Sequence, residues 1–308
     1  MIPLRYLNTI KSRQPPLRNV AGILKTACLL SFILLSFTWP AWADNLLSLN
    51  QKGKIMVLEY HKIAYPEARW TRTPENFRKD LQRFYEKGYS LIRLEDFLKK
   101  RIKVEKGRTP LILTFDDSSP GQLRFIPDGK GGYRVDPDCA VGILESFNKA
   151  HPDFGLAATF FVLPAADPPN RLFNQPEYTK EKLQYLVRKG FEIGNHTYWH
   201  ATLSKMDSKG VRRQLALAVK AIQEAVPGYS PAALSLPMGI YPQDKDLLLN
   251  GSYEGTVYRH LGVLMVAGGP AKPDFDPLRI PRIQATESEL NYWIRYFEKH
   301  PEERFRRD

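Results

Sequence analysis

The chain has 308 residues, with 45 Lys and Arg against 33 Asp and Glu, so its formal net charge is +12 at pH 7. The basic residues are dispersed and no nucleic-acid-binding motif accompanies them, so we expect a solvated surface of mixed sign and no nucleic-acid partner. The basic excess would still favour residence near anionic polymers or membrane surfaces.

The first 43 residues have the pattern of a segment that directs export. Five basic residues precede an uncharged stretch, residues 26–43, which has an apolar centre and ends in Ala41-Trp42-Ala43, a sequence that suits signal peptidase. The alternative is an uncleaved N-terminal anchor, because the uncharged run approaches the roughly 20 residues that span a bilayer. We favour cleavage. Cleavage would lower the net charge to +7 and leave Cys139 as the single cysteine, which excludes an intramolecular disulfide.

Strands and helices alternate from residue 55 onward. An apolar run at 55–61 predicts a strand that ends in His61, and Thr73 with Pro74 is typical of a helix start. A short strand, a second helix at 95–101 and an apolar strand at 111–117 follow. This alternation predicts an α/β protein with parallel strands in a sheet or barrel.

The rest of the chain continues the pattern in about 265 residues after the leader, enough for one large domain. A loop or small hairpin is predicted at 126–137, strands at 157–163, 191–194, 233–236, 261–267 and 278–283, and helices at 179–189 and 208–226. Thr286 and Glu289 form a capping box that begins a final helix. Its apolar face should pack against the domain.

Two adjacent carboxylates stand at the end of the strand at 111–117. A strand of this apolarity is typical of one buried on both faces, and it does not itself need Asp116 or Asp117. Because strand side chains alternate in direction, the two aspartates should have different roles. The carboxyl end of a parallel strand is where α/β folds place their chemistry.

A histidine pair, His196 and His200, follows another predicted strand. Two histidines four residues apart can turn both imidazoles toward one point, and with one carboxylate they make the open three-ligand set of a catalytic zinc site. Alone, such a pair is more often structural or accidental. Its combination with the aspartates at another strand end favours a metal site.

These residues resemble the motifs of the metal-dependent polysaccharide deacetylases, carbohydrate esterase family 4, also called NodB-like. The motifs are Thr114-Phe115-Asp116-Asp117 and His196-Thr197-Tyr198-Trp199-His200, and the runs 158–161 and 190–196 match as well. The resemblance covers roughly residues 52–285. It implies a distorted (β/α) barrel of the NodB-homology type, which need not be complete.

By this resemblance Asp117, His196 and His200 bind a divalent metal, with zinc expected, and Asp116 is the general base. Such a metal lowers the pKa of its bound water to about 7 and polarises the acetamide carbonyl, while an unligated carboxylate can take the water's proton. The family's usual late-strand acid is not visible in this sequence. Tyr60-His61 instead resembles poly-N-acetylglucosamine deacetylases with permuted motif order, so His61 is the predicted acid. The alternative for His61 is a buried histidine bonded to backbone.

Two further features of the family pattern are altered. The third motif reads Ser235-Leu236-Pro237-Met238-Gly239 and lacks its arginine, so Arg279 or Arg282 is the candidate to orient the base. Ser118 stands where glycine commonly follows the aspartates. The predicted substrate-binding residues are Pro237, Gly239, Tyr241 and Trp199, with core packing as the alternative for the aromatic side chains.

The resulting prediction is an exported deacetylase that removes N-acetyl groups from an N-acetylglucosamine-containing polysaccharide, either cell-wall glycan or exopolysaccharide. Its catalytic domain is placed at 44–285, with a packed C-terminal helix at 286–308. We expect a periplasmic, extracellular or envelope location, with membrane contact through the N-terminal segment if that is uncleaved. The alternatives are a hydrolase of another amide C–N bond and an inactive metal- or glycan-binding relative.

Overall fold

The computed structural model describes residues 53–306. The predicted signal peptide or anchor at 1–43 lies outside the described residues. Within the described residues, no helix is long and apolar enough to cross a membrane.

Fourteen strands and six α-helices make up the described chain. The strands are β1 Met56–Tyr60, β2 Lys62–Ile63, β3 Thr71–Arg72, β4 Tyr89–Leu91, β5 Thr109–Phe115, β6 Phe125–Pro127, β7 Tyr133–Val135, β8 Thr159–Val162, β9 Glu192–Asn195, β10 Ala233–Ser235, β11 Asn250–Tyr253, β12 Thr256–Arg259, β13 Gly262–Leu264 and β14 Ile283–Gln284. The helices are α1 Pro74–Glu86, α2 Leu94–Leu98, α3 Ala140–Ala150, α4 Thr179–Arg188, α5 Ser208–Ala225 and α6 Glu287–Lys299.

The main sheet is parallel and curls toward closure. Its order is β13-β10-β9-β8-β5-β1-β14, and β4 pairs with the first half of β5. A parallel bridge between Leu264 and Ile280 connects the β13 edge to the segment that leads into β14. The prediction of a distorted (β/α) barrel is therefore confirmed at the level of strand direction and order.

The central strands are buried on both faces, which explains their continuous apolar sequence. All seven residues of β5 are buried, and its Leu113 and Phe115 pack in one cluster with residues of α1 and α3. Ile112 points to the other face and packs in a second cluster with residues of α2. The period-two alternation of the strand thus joins two layers of core.

Helix starts follow the capping signals in the sequence. Thr73 Oγ1 accepts from Asn76 N at 3.2 Å at the start of α1. At the start of α6, Thr286 Oγ1 accepts from Glu289 N at 3.3 Å. The carboxylate of Glu289 accepts from Trp293 Nε1 instead of returning to the cap, so the capping box is half formed.

The last helix is part of the core. Leu290, Ile294 and Phe297 of α6 are buried in the same cluster as residues of β1, and Trp293 packs against its edge. Ion pairs add to this attachment, because Arg72 pairs with buried Asp80 of α1 and with exposed Glu287 of α6, each through Nη2, at 2.7 and 2.6 Å.

Several segments differ from the prediction. Helix α2 is shorter than expected, since Lys100 adopts a left-handed φ of 55° soon after its end. The strand predicted at 278–283 pairs in a continuous ladder only at Ile283–Gln284, because Pro281 has no N–H to donate. The antiparallel pair β11–β12 was not predicted.

Candidate active site

Strand register brings the predicted residues to one edge of the sheet. Tyr60 pairs with Phe115, so His61 and Asp116 leave neighbouring strands side by side, and Asp116 N donates to Tyr60 O at 2.9 Å. On the other side, β9 pairs with β10 through Asn195 and Leu234. This places the chain at His196 beside the end of β10. The carboxyl ends of β1, β5, β9 and β10 therefore surround one cavity of about 260 Å³.

Asp117, His196 and His200 converge in this cavity. Asp117 Oδ1 lies 3.3 Å from His196 Nε2 and 3.6 Å from His200 Nε2. His196 Nδ1 lies 2.9 Å from the carbonyl oxygen of Ser235. Because a carbonyl can only accept, Nδ1 carries the proton and Nε2 presents its lone pair toward Asp117.

The backbone at these residues is strained, as is common where a site requires a fixed side-chain direction. Positive φ angles occur at Asp117 (73°), Ser118 (43°), Thr197 (70°) and His200 (64°). Ser118 therefore occupies a conformation that favours glycine, the residue the family pattern has there. Its hydroxyl donates to Asn170 O at 2.8 Å, a bond that glycine could not make.

The three convergent residues fit a divalent cation. Asp117 Oδ1 is buried and has no hydrogen-bond partner among the described residues, although two imidazole nitrogens face it. Burial acts to raise the pKa of Asp117, but the electrostatic attraction of the neighbouring His196 outweighs it and leaves the pKa below its ordinary value. Burial lowers the pKa of His200, and the charge of His196 lowers it further. Burial acts to lower the pKa of His196, but the charges of Asp116 and Asp117 outweigh it and raise the pKa. Zinc binds an ionised carboxylate and neutral imidazoles, so a bound cation would displace a proton from His196.

Asp116 is held differently from its neighbour. It is buried, and its Oδ1 accepts from Arg282 Nη1 at 2.8 Å, while Oδ2 accepts from Arg282 Nη2 and Ser235 Oγ, both at 2.7 Å. Burial acts to raise the pKa of Asp116, but the charge of Arg282 outweighs it, so the carboxyl is ionised. The two aspartates thus have separate surroundings, one facing imidazoles and one a guanidinium.

Of the two candidate arginines, Arg282 reaches Asp116. Arg282 is fully buried, donates from Nε to Met265 O at 2.7 Å and also contacts Thr114 Oγ1 at 3.0 Å. Arg279 is exposed, and none of the hydrogen bonds described for Asp116 comes from it. The guanidinium therefore comes from the residue before β14 and not from the third-motif segment.

Glu59 is a site residue that the sequence reasoning missed. This buried carboxyl lines the cavity, and its Oε1 accepts from Arg282 Nη2 at 2.5 Å. Oε2 is buried and has no hydrogen-bond partner among the described residues. Burial raises the pKa of Glu59 to about 8, with the charge of Arg282 opposing and that of Asp116 adding to the shift.

Glu59, His61 and Asp116 also lie close enough to suggest a second metal site, since one potential ligand atom from each falls within 4.8 Å of the others. The Arg282 guanidinium already contacts both carboxylates. Its positive charge disfavours a second cation beside these carboxylates, so Asp117 with the histidine pair is the better candidate for a metal site.

His61 lines the same cavity as Asp116. Its ring centroid is 4.5 Å from that of Trp70, and its Nδ1 is buried without a partner among the described residues. Burial lowers the pKa of His61, although the charges of Asp116 and Asp117 oppose the shift. The carbonyl oxygen of His61 accepts from Gln122 Nε2 at 2.7 Å, whereas the ring Nδ1 makes no bond to described backbone.

The predicted substrate-binding residues do not line the cavity. Pro237 is buried, Tyr241 donates its hydroxyl to Leu278 O at 2.6 Å, and Trp199 lies 5.8 Å from the Arg213 guanidinium. Gly239 is likewise not a lining residue. From outside the predicted set, the cavity is lined by Glu59, Lys62, Trp70, Asn170, Leu236, Met238 and Val266. The turn at Met238, with φ of 57°, places Met238 and Leu236 at the wall.

The comparisons with known proteins agree with the motifs. Residues 103–250 match the family model described as polysaccharide deacetylase. The resemblance to the polysaccharide deacetylases is confirmed. The matched segment contains Asp116, Asp117, His196 and His200, whereas His61 and Arg282 lie outside it.

Two curated relatives of this family are chitooligosaccharide deacetylases. That of Bradyrhizobium sp. (strain ANU 289) is 28% identical over 138 residues, which are 45% of this chain and 50% of the relative. That of Sinorhizobium fredii (strain NBRC 101917 / NGR234) is 34% identical over 152 residues, 48% of this chain and 56% of the relative. The chain therefore spans about half the length of these polysaccharide deacetylases.

Solved structures support the fold. The Streptococcus pyogenes deacetylase PplD, in complex with acetate, is 17% identical with a TM-score of 0.59, covering 79% of this chain and 97% of that one. IcaB from Ammonifex degensii is also 17% identical, with a TM-score of 0.58 and the same two coverages. These likenesses confirm the NodB-type barrel.

Proposed function

We propose that the protein is an exported, metal-dependent hydrolase that removes N-acetyl groups from an N-acetylglucosamine-containing polysaccharide. One observation carries the proposal: a ligand set, Asp117 with His196 and His200, shares a small cavity with an ionised, guanidinium-bound Asp116 and with His61. The similarity to the two chitooligosaccharide deacetylases supports the substrate class.

Asp117, His196 and His200 would hold the cation, and we propose Zn²⁺ because two imidazoles and one carboxylate form a common open zinc set. When bound, the cation would polarise the acetamide carbonyl and lower the pKa of water to about 7. Ser235 supports the set through its carbonyl, which fixes the ring of His196.

Asp116 would accept the proton of the attacking water. Arg282 and Ser235 Oγ hold its two oxygens in place, so the carboxylate is ionised and oriented before substrate binds. An oriented base of this kind contributes about 10²- to 10⁴-fold to rate.

His61 would donate a proton to the leaving amine. It lies in the same cavity as Asp116, with a ring nitrogen within 4.8 Å of a carboxylate oxygen, and Trp70 restricts the imidazole from one side. An imidazole protonated on the free nitrogen can act as an acid without moving from its place beside the base.

The export signal at 1–43 supports a location in the periplasm, outside the cell or at the envelope, where cell-wall glycan and exopolysaccharide are accessible. A cleaved signal peptide and a retained N-terminal anchor both agree with this location. N-terminal sequencing of the mature protein distinguishes them.

The test is acetate release from N-acetylglucosamine oligomers by the purified protein, after chelation and again after Zn²⁺ is restored. We expect release that depends on the metal and that falls in Asp116→Asn. Release from a peptide or cyclic amide instead would favour a different amide hydrolase. Stoichiometric metal binding with no release from any amide-bearing glycan or peptide would contradict an enzymatic function and favour a binding protein.

A further inference from the structure

One buried serine connects the aspartate turn to a loop that reaches the active-site cavity. The loop, residues 163–174, follows β8, and Ser118 makes three hydrogen bonds to it. Ser118 Oγ accepts from Leu163 N at 3.1 Å and donates to Asn170 O at 2.8 Å. Its carbonyl oxygen accepts from Phe173 N at 2.8 Å. The serine therefore holds the 163–174 loop at its beginning and near its end.

The end of this loop has an unfavourable backbone conformation. Leu172, Phe173 and Asn174 have φ angles of 42°, 67° and 50°, in the left-handed region that residues other than glycine rarely adopt in succession. Such a conformation persists only where surrounding contacts fix it. Lys182 Nζ donates to Phe173 O at 3.2 Å and fixes the loop to α4. Ser118 fixes the same segment to the residues that follow β5.

The 163–174 loop brings one polar side chain to the cavity. Asn170 lines the cavity, and its Oδ1 is buried without a hydrogen-bond partner among the described residues. An unpaired buried acceptor is costly, and most such groups in proteins have a partner. An acceptor at the wall of a ligand cavity suits an N–H or O–H group of the ligand. The bond from Ser118 Oγ fixes the main chain from which this side chain extends.

The hydroxyl of Ser118 is what separates it from the glycine of the family pattern. Its φ of 43° favours glycine, so serine retains an unfavourable conformation that glycine would avoid. Glycine would make neither of the hydroxyl bonds, to Leu163 and Asn170. The benefit of serine at this position therefore lies in its hold on the loop.

We propose that Ser118 is a positioning residue whose hydroxyl holds Asn170 so that Asn170 Oδ1 accepts a hydrogen bond from the sugar unit that reacts. The proposal deepens the proposed function and rests on it for the identity of the sugar. Asn170 binds an N–H or O–H group of that unit directly, whereas Ser118 acts only through Asn170. Loss of either side chain therefore removes the same interaction.

The test is a double-mutant cycle of Ser118→Gly, Asn170→Ala and the double variant. The kcat and KM of acetate release from an N-acetylglucosamine tetramer are measured, and tetramer affinity is measured by calorimetry in the Asp116→Asn background, in which turnover is slow. Each single variant should raise KM and weaken affinity by about two- to tenfold, the range for one neutral hydrogen bond, with kcat changed less. The double variant should be no weaker than Asn170→Ala, because the two residues act in series.

Two further measurements distinguish positioning from a general loss of stability. Hydrogen exchange of peptides that cover residues 163–174 should be faster in Ser118→Gly and unchanged in Asn170→Ala. Ser118→Ala is the matched control, because it also lacks the hydroxyl but keeps the unfavourable backbone conformation. It should equal Ser118→Gly in KM and in loop exchange, yet have the lower Tm.

Additive losses in the double variant, or unchanged loop exchange in both Ser118 variants, overturn the proposal. Wild-type affinity and KM in Asn170→Ala also overturn it and leave the proposed function intact. A wild type that binds the tetramer but releases no acetate contradicts the proposed function, and the affinity cycle then decides this proposal separately. A wild type that neither binds nor deacetylates the tetramer contradicts both.

Discussion

Arg282→Met tests the buried ion cluster on which the proposed base depends. The substitution removes six hydrogen bonds, to Met265, Thr114, Glu59 and Ser235 and twice to Asp116. It also leaves two buried carboxyl groups without their cation. Removing one partner of a buried ion pair costs about 3–5 kcal/mol.

The expected loss of stability is large enough to measure directly. For a domain of this size each kcal/mol lowers Tm by about 2–4 °C, so Arg282→Met should unfold roughly 6–20 °C below wild type. The pKa of Asp116 should rise, because the charge of Arg282 is what opposes the effect of burial on it. The base is then protonated up to a higher pH, and the acidic limb of kcat/KM should move to higher pH.

Arg279→Met is the control for loss of a nearby positive charge. Arg279 is exposed, so its replacement should change the free energy of unfolding by no more than about 0.5 kcal/mol. Circular dichroism melts and acetate release across pH measure both effects. If Arg282→Met melts within about 2 °C of Arg279→Met, the guanidinium does not neutralise Asp116 and the account of the cluster is wrong.

Four further substitutions test separate residues. Asp117→Asn should lose Zn²⁺ in a calorimetric titration, whereas Asp116→Asn should keep it and lose about 10²-fold or more in turnover, and full activity of Asp116→Asn would exclude it as the base. His61→Gln should lower kcat by about 10²-fold or more and remove the alkaline limb of the rate profile, and an unchanged rate would return the acid role to solvent or another group. Burial lowers the pKa of Lys182 to about 7, so between about pH 7 and 10.5 the unfolded chain binds the extra proton and wild-type stability rises with pH. Lys182→Met should therefore exceed wild type in Tm most near pH 7 and least near pH 10, with exposed Lys180→Met as control, and a gap that grows with pH would reverse the sign we assign.

Much of the fold was predictable because its signals are local. The apolar strand at 111–117 and the capping residue Thr73 act within a few residues of themselves, and both elements form where expected. The segment at 278–283 was predicted as a strand from its apolar residues. Pro281 interrupts the hydrogen-bond ladder there, so pairing resumes only at Ile283–Gln284.

The site was predictable to the extent that its residues belong to motifs. The aspartate pair and the histidine pair each occupy one strand end, and the parallel sheet brings those ends together. Trp70 and Asn170 reach the cavity from loops with no motif, so their place depends on the folded chain. Trp199 and Tyr241, which were predicted to bind substrate, do not line the cavity. The Tyr241 hydroxyl donates to Leu278 O instead.

Glu59 shows what a single strand could have indicated and what it could not. An acidic residue within the buried strand Met56–Tyr60 requires a partner, because an isolated buried charge is costly. Its sequence position does not identify Arg282, 223 residues away.

Once Glu59 and Arg282 are adjacent, they share one buried space with Asp116. Two carboxylates with one guanidinium would leave a net negative charge there. With the pKa of Glu59 raised to about 8 and that of Asp116 lowered, Glu59 holds the proton near neutral pH and Arg282 neutralises Asp116. The cluster is then uncharged overall, and the carboxylate that remains ionised is the one beside the metal-binding residues.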